Sequence, residues 1–296
     1  MRCFVGILLL LMPFIAFAAD GSTRPQIQAS MVVTGWIEVT PDGSVGGYAL
    51  DQPDKLPQPV IDIIRKTTSV WKFKPILVDG KPVPAKTRMS LRIVADLIDR
   101  ERASLHVGGA EFGRDAGLAR TKEECPPGAC LEYGNRHPPR YPLDMLMDRV
   151  SGTVYLVQEI DRDGHVAKQA VRQVDLHRIG TPEQMAFWRN EFAQASLKAA
   201  QDWTYHVPTS ADAPAKDHWV ASIPINFRLR ALDRPPPHDG YGQWDVYIPG
   251  PVRDIPWSKD GATHADSDSG ADAIPDNGAP FVADTRFVLL TAPHNG

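Results

Sequence analysis

One order of signals occurs twice along this chain, and the repetition narrows the folds open to it. In the first copy Val33, Gly35, Ile37 and Val39 alternate with Thr34, Trp36, Glu38 and Thr40, the two-residue period of a half-buried strand. Asp42-Gly43 supplies hairpin turn chemistry, because glycine reaches positive φ without steric cost, and Val45 to Leu50 returns. Pro57 and Pro59 then precede Val60, Ile61, Ile64 and Thr67, which share one helical face. Trp71-Lys72-Phe73-Lys74-Pro75 closes that helix, and Met89, Leu91, Ile93, Ala95 and Leu97 alternate as a last strand.

The second copy follows the same plan. Gly152 leads Val154, Leu156 and Ile160, Asp163-Gly164 turns the chain, and Val166 to Val171 returns. Thr181, Pro182 and Gln184 form a capping box ahead of an apolar stripe of Met185, Trp188, Phe192, Ala195 and Ala199. Trp203-Thr204-Tyr205-His206-Val207-Pro208 ends the helix, and Ala221, Ile223, Ile225, Phe227 and Leu229 alternate. Trp71 and Ile93 lie 22 positions apart, as do Trp203 and Ile225. The expected fold is α+β: two small modules over residues 28–98 and 138–232, each an antiparallel three-stranded sheet with a helix packed on one face (strand-strand-helix-strand). Modules this small sit near the lower limit for an independent core, so they are expected to pack on each other or be covered by flanking segments.

The flanking segments have their own signatures. Arg2, the apolar run Phe4 to Phe17 and the exit Ala16-Phe17-Ala18-Ala19 predict a signal peptide over residues 1–18, cut after Ala18 or Ala19. The run is shorter than the ~20 residues a spanning helix needs, so no membrane span is expected after cleavage and the location is periplasmic; an uncleaved anchor is the alternative. Cys3 leaves with the signal, and Cys125 and Cys130 remain in a Gly-rich connector, 99–137, as a disulfide clasping a tight loop. Residues 233–296 form a Pro-rich, partly disordered extension with aromatic islands at Tyr241, Trp244, Tyr247 and Trp257.

Composition excludes several functions. The net charge is −4 and the basic residues are scattered, which argues against a nucleic-acid partner. The nine histidines form no metal-binding pair, and no nucleophile elbow or phosphate loop occurs. Asp161-Arg162-Asp163-Gly164 opens like a calcium loop but has Arg172 where the bidentate acid belongs; Asp266 to Asp272 has the same fault at Asn277. No catalytic residue, metal or cofactor is expected. A metal-dependent or hydrolytic enzyme is the contrasting reading, requiring a pocket of convergent histidine and carboxylate groups.

Pro139-Arg140-Tyr141-Pro142, Gly152-Thr153-Val154, Asp163-Gly164-His165-Val166, the helix ending at Trp203, and Ile223-Pro224-Ile225-Asn226-Phe227-Arg228-Leu229 resemble the C-terminal domain of TonB energy transducers. Gly35, Asp42-Gly43, Trp71 to Pro75 and Asp79-Gly80-Lys81-Pro82-Val83 look like a diverged second copy. The resemblance implies a non-catalytic periplasmic adaptor, linked to TonB-dependent transport. It would recognise an extended peptide of an outer-membrane receptor, another periplasmic protein or a second copy of itself, by strand addition. An edge strand offers unpaired N–H and C=O groups to such a partner. The corresponding strands are Met89 to Leu97 and Trp219 to Arg230, with Trp219, Ser222, Pro224, Asn226 and Arg228 as candidate partner-binding residues. Tyr141 and Pro142 join them as an extended arm. Transducers keep an N-terminal anchor and a long Pro-rich spacer, and neither is read ahead of the first module here. A transducer held by its uncleaved signal is therefore the second reading. Pro224 lacks a donor and fits only a non-bonding or edge position.

Overall fold

The computed structural model describes residues 27–98, 102–209, 217–229, 241–257 and 273–293. The signal segment, the Pro235 to Pro237 run and the Asp/Ser-rich stretch 258–272 lie outside these. The first alternating segment is β1, Gln28–Val39, which turns at Asp42-Gly43 into β2, Val45–Leu50. Helix α1, Gln58–Thr68, buries Val60, Ile64, Thr67 and Thr68. A short hairpin of β3, Leu77–Val78, and β4, Lys81–Pro82, leads into β5, Ala85–Leu97. Next come β6, Ala103–Phe112, and β7, Glu132–Asn135, and then the five-residue helix α2, Leu143–Met147. The second copy is β8, Gly152–Asp161, β9, Val166–Leu176, helix α3, Pro182–Ala200, and β10, Thr204–His206. It ends in β11, His218–Phe227, and β12, Asp245–Tyr247, follows.

The fold class departs from two simple three-stranded modules. Among the described residues the first half builds a five-stranded sheet in the order β12-β1-β5-β6, with β2 also on β1. The second half keeps three strands, β11-β8-β9, and β10-β7 and β3-β4 form two-stranded ribbons. The larger sheet has a physical source. β6 comes from the Gly-rich connector and β12 from the C-terminal extension, and both add to a sheet whose rims the repeat alone would leave bare. Gly108, at the β5–β6 bulge, lets β6 close on its neighbour. A Cβ there would lie 2.5 Å from Val94 Cγ2 and 3.0 Å from Arg92 Nη2.

Within this larger architecture the two copies share a contact. Gly43 and Gly164 turn with φ of 80° and 84°. The carbonyl of each accepts the backbone N–H two residues beyond the tryptophan, Phe73 and Tyr205, at 2.8 Å in both cases. Each turn is thereby tied to the end of its helix, and Trp71 and Trp203 are buried beside it. The predicted capping box on α3 is present, with Gln184 N to Thr181 Oγ1 at 3.2 Å and Thr181 N to Gln184 Oε1 at 2.9 Å. Thr181→Ala is expected to cost about 1 kcal/mol, read as a lower urea midpoint at unchanged slope.

Each sheet has one apolar face under its helix. Met31, Val33, Ile37, Met89, Leu91 and Ile93 pack with α1, and Val154, Leu156, Ile160, Ile223 and Ile225 pack with α3. The other faces carry buried polar groups: Ser30, Thr34, Arg88, Ser90 and Arg92 on the large sheet, Thr153, Gln173 and Asp175 on the small one. Strand periodicity places them there, in phase with one another and one residue out of phase with the apolar set. The segments from Tyr241 to Arg253 and from Ala273 to Thr291 connect the sheets. Tyr247 pairs with Gln28 while Ile248 bridges Leu176; Phe281 bridges Ser222 while Leu289 bridges Phe73. No helix among the described residues is long and apolar enough to cross a membrane.

Candidate functional site

Two features stand out as places for a partner: the rims of the sheets and a cleft between their polar faces. Of the two strands expected to form rims, neither is a free edge. β5 is interior, paired along β1 on one side and β6 on the other. β11 does end the small sheet, but Ser222 exchanges two backbone hydrogen bonds with Phe281, at 2.8 and 3.0 Å. Because bonding direction alternates along an antiparallel strand, Pro224 shares the outward phase of Ser222, so its missing N–H costs the β8 ladder nothing. The C-terminal segment thus covers the middle of this rim.

The far rim of the large sheet is different. β6 ends the strand order, runs for ten residues and contains no lysine or proline. Gly113 N–H donates inward to Arg88, and Phe112 C=O accepts outward from Asp284 N–H at 2.9 Å. By alternation Ala110 also points its backbone groups outward. Among the described residues no strand lies beside β6 beyond Phe112.

The cleft encloses about 440 Å³. One wall is β1, through Ser30, Val32 and Thr34; the opposite wall is the polar face of the small sheet, including Thr153, Tyr155 and Asp175. Pro224, Asn226 and Arg228, expected as rim residues, line this cleft instead. Gln243, Trp244, Asp245 and Asp276 are exposed residues of its lining. Asn226 Nδ2 donates to Asp276 at 2.6 Å, and Asn226 Oδ1 accepts from Thr153 Oγ1 at 2.8 Å. Asp175 accepts from Gln173 Nε2 at 2.8 Å and from Gly250 N–H at 2.9 Å. His177 Nε2 meets both Asp245 oxygens at 3.0–3.1 Å. Burial alone would raise Asp245, but the His177 hydrogen bond and the charges of His177 and Arg228 outweigh it and hold the carboxyl below its ordinary value.

The remaining expected site residues serve packing. Tyr141 stands edge-on to Phe192 and Phe227, with centroids at 5.9 and 5.6 Å, and its hydroxyl donates to the Val150 carbonyl. Pro142 caps α2. Trp219 is buried in the core beneath α3. Cys125 and Cys130 are disulfide-bonded, and Gly128 between them accepts from Thr209 N–H at 2.8 Å. Asp161 Oδ1 accepts the N–H groups of Asp163 and His165, so this acid shapes a turn. No group of three or more histidine, cysteine, aspartate or glutamate residues among the described residues could hold a metal ion. Tyr241, Trp244 and Tyr247, expected only as aromatic islands of the extension, line this cleft, and their clustering is the one local signal that could have found it; nothing local marks His177 or Asp276. Compared with family models, curated proteins and solved structures, the chain matches none of them.

Proposed function

We propose that this is an exported, periplasmic binding protein, not a catalyst, which recognises an extended segment of another protein by adding it as a strand to β6. The observation that carries the reading is the rim of β6 from Ala103 to Ala110, bulged at Gly108 but lying at the end of the sheet order and carrying no lysine or proline. Long edges of that kind are normally blunted, because a row of unpaired backbone groups is a template for another chain. Asp284 already takes the last outward carbonyl, of Phe112, so this rim accepts a backbone partner. An incoming strand runs from Ala110 towards Ala103, stopped at one end by the chain's own tail. The partner is an extended segment of an outer-membrane receptor, of another periplasmic protein or of a second copy, and the resemblance to TonB modules favours a link to TonB-dependent transport.

The test is capture of partners from periplasmic extract by the wild type and by Ala110→Pro. Ala110 makes no ladder bond to β5, so the variant is expected to unfold close to the wild-type temperature yet retain about a tenth or less of the captured partner. Unchanged capture by the folded variant overturns the strand-addition reading. Mass spectrometry of the exported chain is expected to find Ala19 or Asp20 at its amino terminus; an intact signal on the working protein favours the anchored transducer.

A further inference from the structure

The geometry points to a second ligand site, separate from β6: the inter-sheet cleft takes a neutral saccharide of two or three rings. Its volume, about 440 Å³, lies in the range of small-molecule sites. The lining brings together planar polar side chains from separate segments, Gln243, Asp245, Asn226, Arg228 and Asp276, with the indole of Trp244. Trp244 is 37% exposed, which leaves part of its ring for a ligand. Lining carboxylates already have internal partners: His177 for Asp245, Asn226 for Asp276, Gln173 and Gly250 for Asp175.

The lining is of mixed charge: Asp175, Asp245 and Asp276, each with an internal hydrogen-bond partner, stand with Arg228 and His177. Arg228 and Asp245 line one cleft and feel each other's field. A cation drawn to Asp245 meets the guanidinium, and an anion drawn to Arg228 meets the carboxylate. A hydroxyl suits either group, since it can donate to a carboxylate or accept from a guanidinium. Adjacent hydroxyls on a ring with an apolar face match this set: the C–H face rests on Trp244 while the rim of hydroxyls meets Arg228, Asp245 and the free oxygen valences of Asp276.

The experiment is isothermal titration of the full mature chain with maltotriose, cellotriose and N,N′-diacetylchitobiose, and with arginine amide and glutamate as charged controls. Saturable binding of at least one saccharide is expected, weakened about ten-fold or more by Trp244→Ala and by Arg228→Ala. Both side chains are exposed, so neither change should move the unfolding temperature. Ala110→Pro is expected to leave saccharide binding intact, which separates this site from the β6 rim. Three results overturn the proposal: no saturable binding of any of the three saccharides, binding by both variants as tight as by the wild type, or tighter binding of a charged control.

Discussion

Arg120→Ala is expected to lower the free energy of unfolding by about 3–5 kcal/mol, because it strands a buried carboxylate. Asp115 is 5% exposed and forms an ion pair with Arg120. The same guanidinium donates to the carbonyls of Leu131 at 2.8 Å and Pro280 at 3.1 Å, while Asp115 Oδ2 accepts from Val282 N–H at 3.1 Å. Burial raises the Asp115 carboxyl above its ordinary value even with Arg120 beside it. Without Arg120 it rises further, so the loss should be largest near pH 8 and shrink towards pH 4, where protonation removes the charge. Urea unfolding at both pH values measures this. Arg120→Ala/Asp115→Asn should recover most of the stability, since both members of the pair are then neutral. A single variant costing less than about 1 kcal/mol, or a double variant no better than the single, would show that the pair does not hold the C-terminal segment.

Features with local causes were legible in the sequence. Asp42-Gly43 and Asp163-Gly164 turn where they do because glycine alone tolerates φ near 80° with a carbonyl packed against its Cα. Thr181 and Gln184 cap α3 through bonds that span three residues. The α3 stripe shifts by one position at its end: Ser196 and Ala200 are buried where Ala195 and Ala199 are only partly so, as a 3.6-residue period drifts. β6 was not legible. Ala103 to Phe112 holds two consecutive glycines and little β-branched character, so local propensity argues against a strand. Pairing with β5 overrides that, and no alternation in the sequence announces which strand will be its neighbour. The Ser222–Phe281 bridge joins segments far apart in the chain, where nothing local could signal it.

Those long-range contacts explain why residues that look like a rim became a wall. Alternation along β11 correctly groups Ser222, Pro224 and Asn226 on one face and Ala221, Ile223, Ile225 and Phe227 on the other. With Ser222 bonded to Phe281 and Pro224 lacking a donor, two successive outward positions are closed to a partner. Their side chains, however, point to the polar face, where β1 and the Tyr241–Tyr247 segment complete a cleft. A sheet that buries a polar face against a second sheet needs hydrogen-bond partners there, and the Asn226–Thr153 and Asn226–Asp276 bonds supply them.

The same inter-sheet region contains a group that should make stability depend on pH. Glu111 on β6 has one carboxylate oxygen buried with no hydrogen-bond partner. Burial pushes its pKa up to about 7, and the Arg172 charge offsets only part of that. A carboxyl whose pKa is raised on folding stabilises the native state below its unfolded pKa, and the contribution disappears as pH rises through the folded value. Wild-type stability should therefore fall between about pH 5 and pH 8 by about 2 kcal/mol through this group. Glu111→Gln keeps the shape and removes the titration, so the variant should match the wild type near pH 5 and exceed it near pH 8. Parallel stability profiles across that interval would mean that solvent or Arg172 neutralises Glu111 in the folded chain. A variant less stable at every pH would instead show that the ionised carboxylate is bound by Arg172 and contributes to holding the two sheets together.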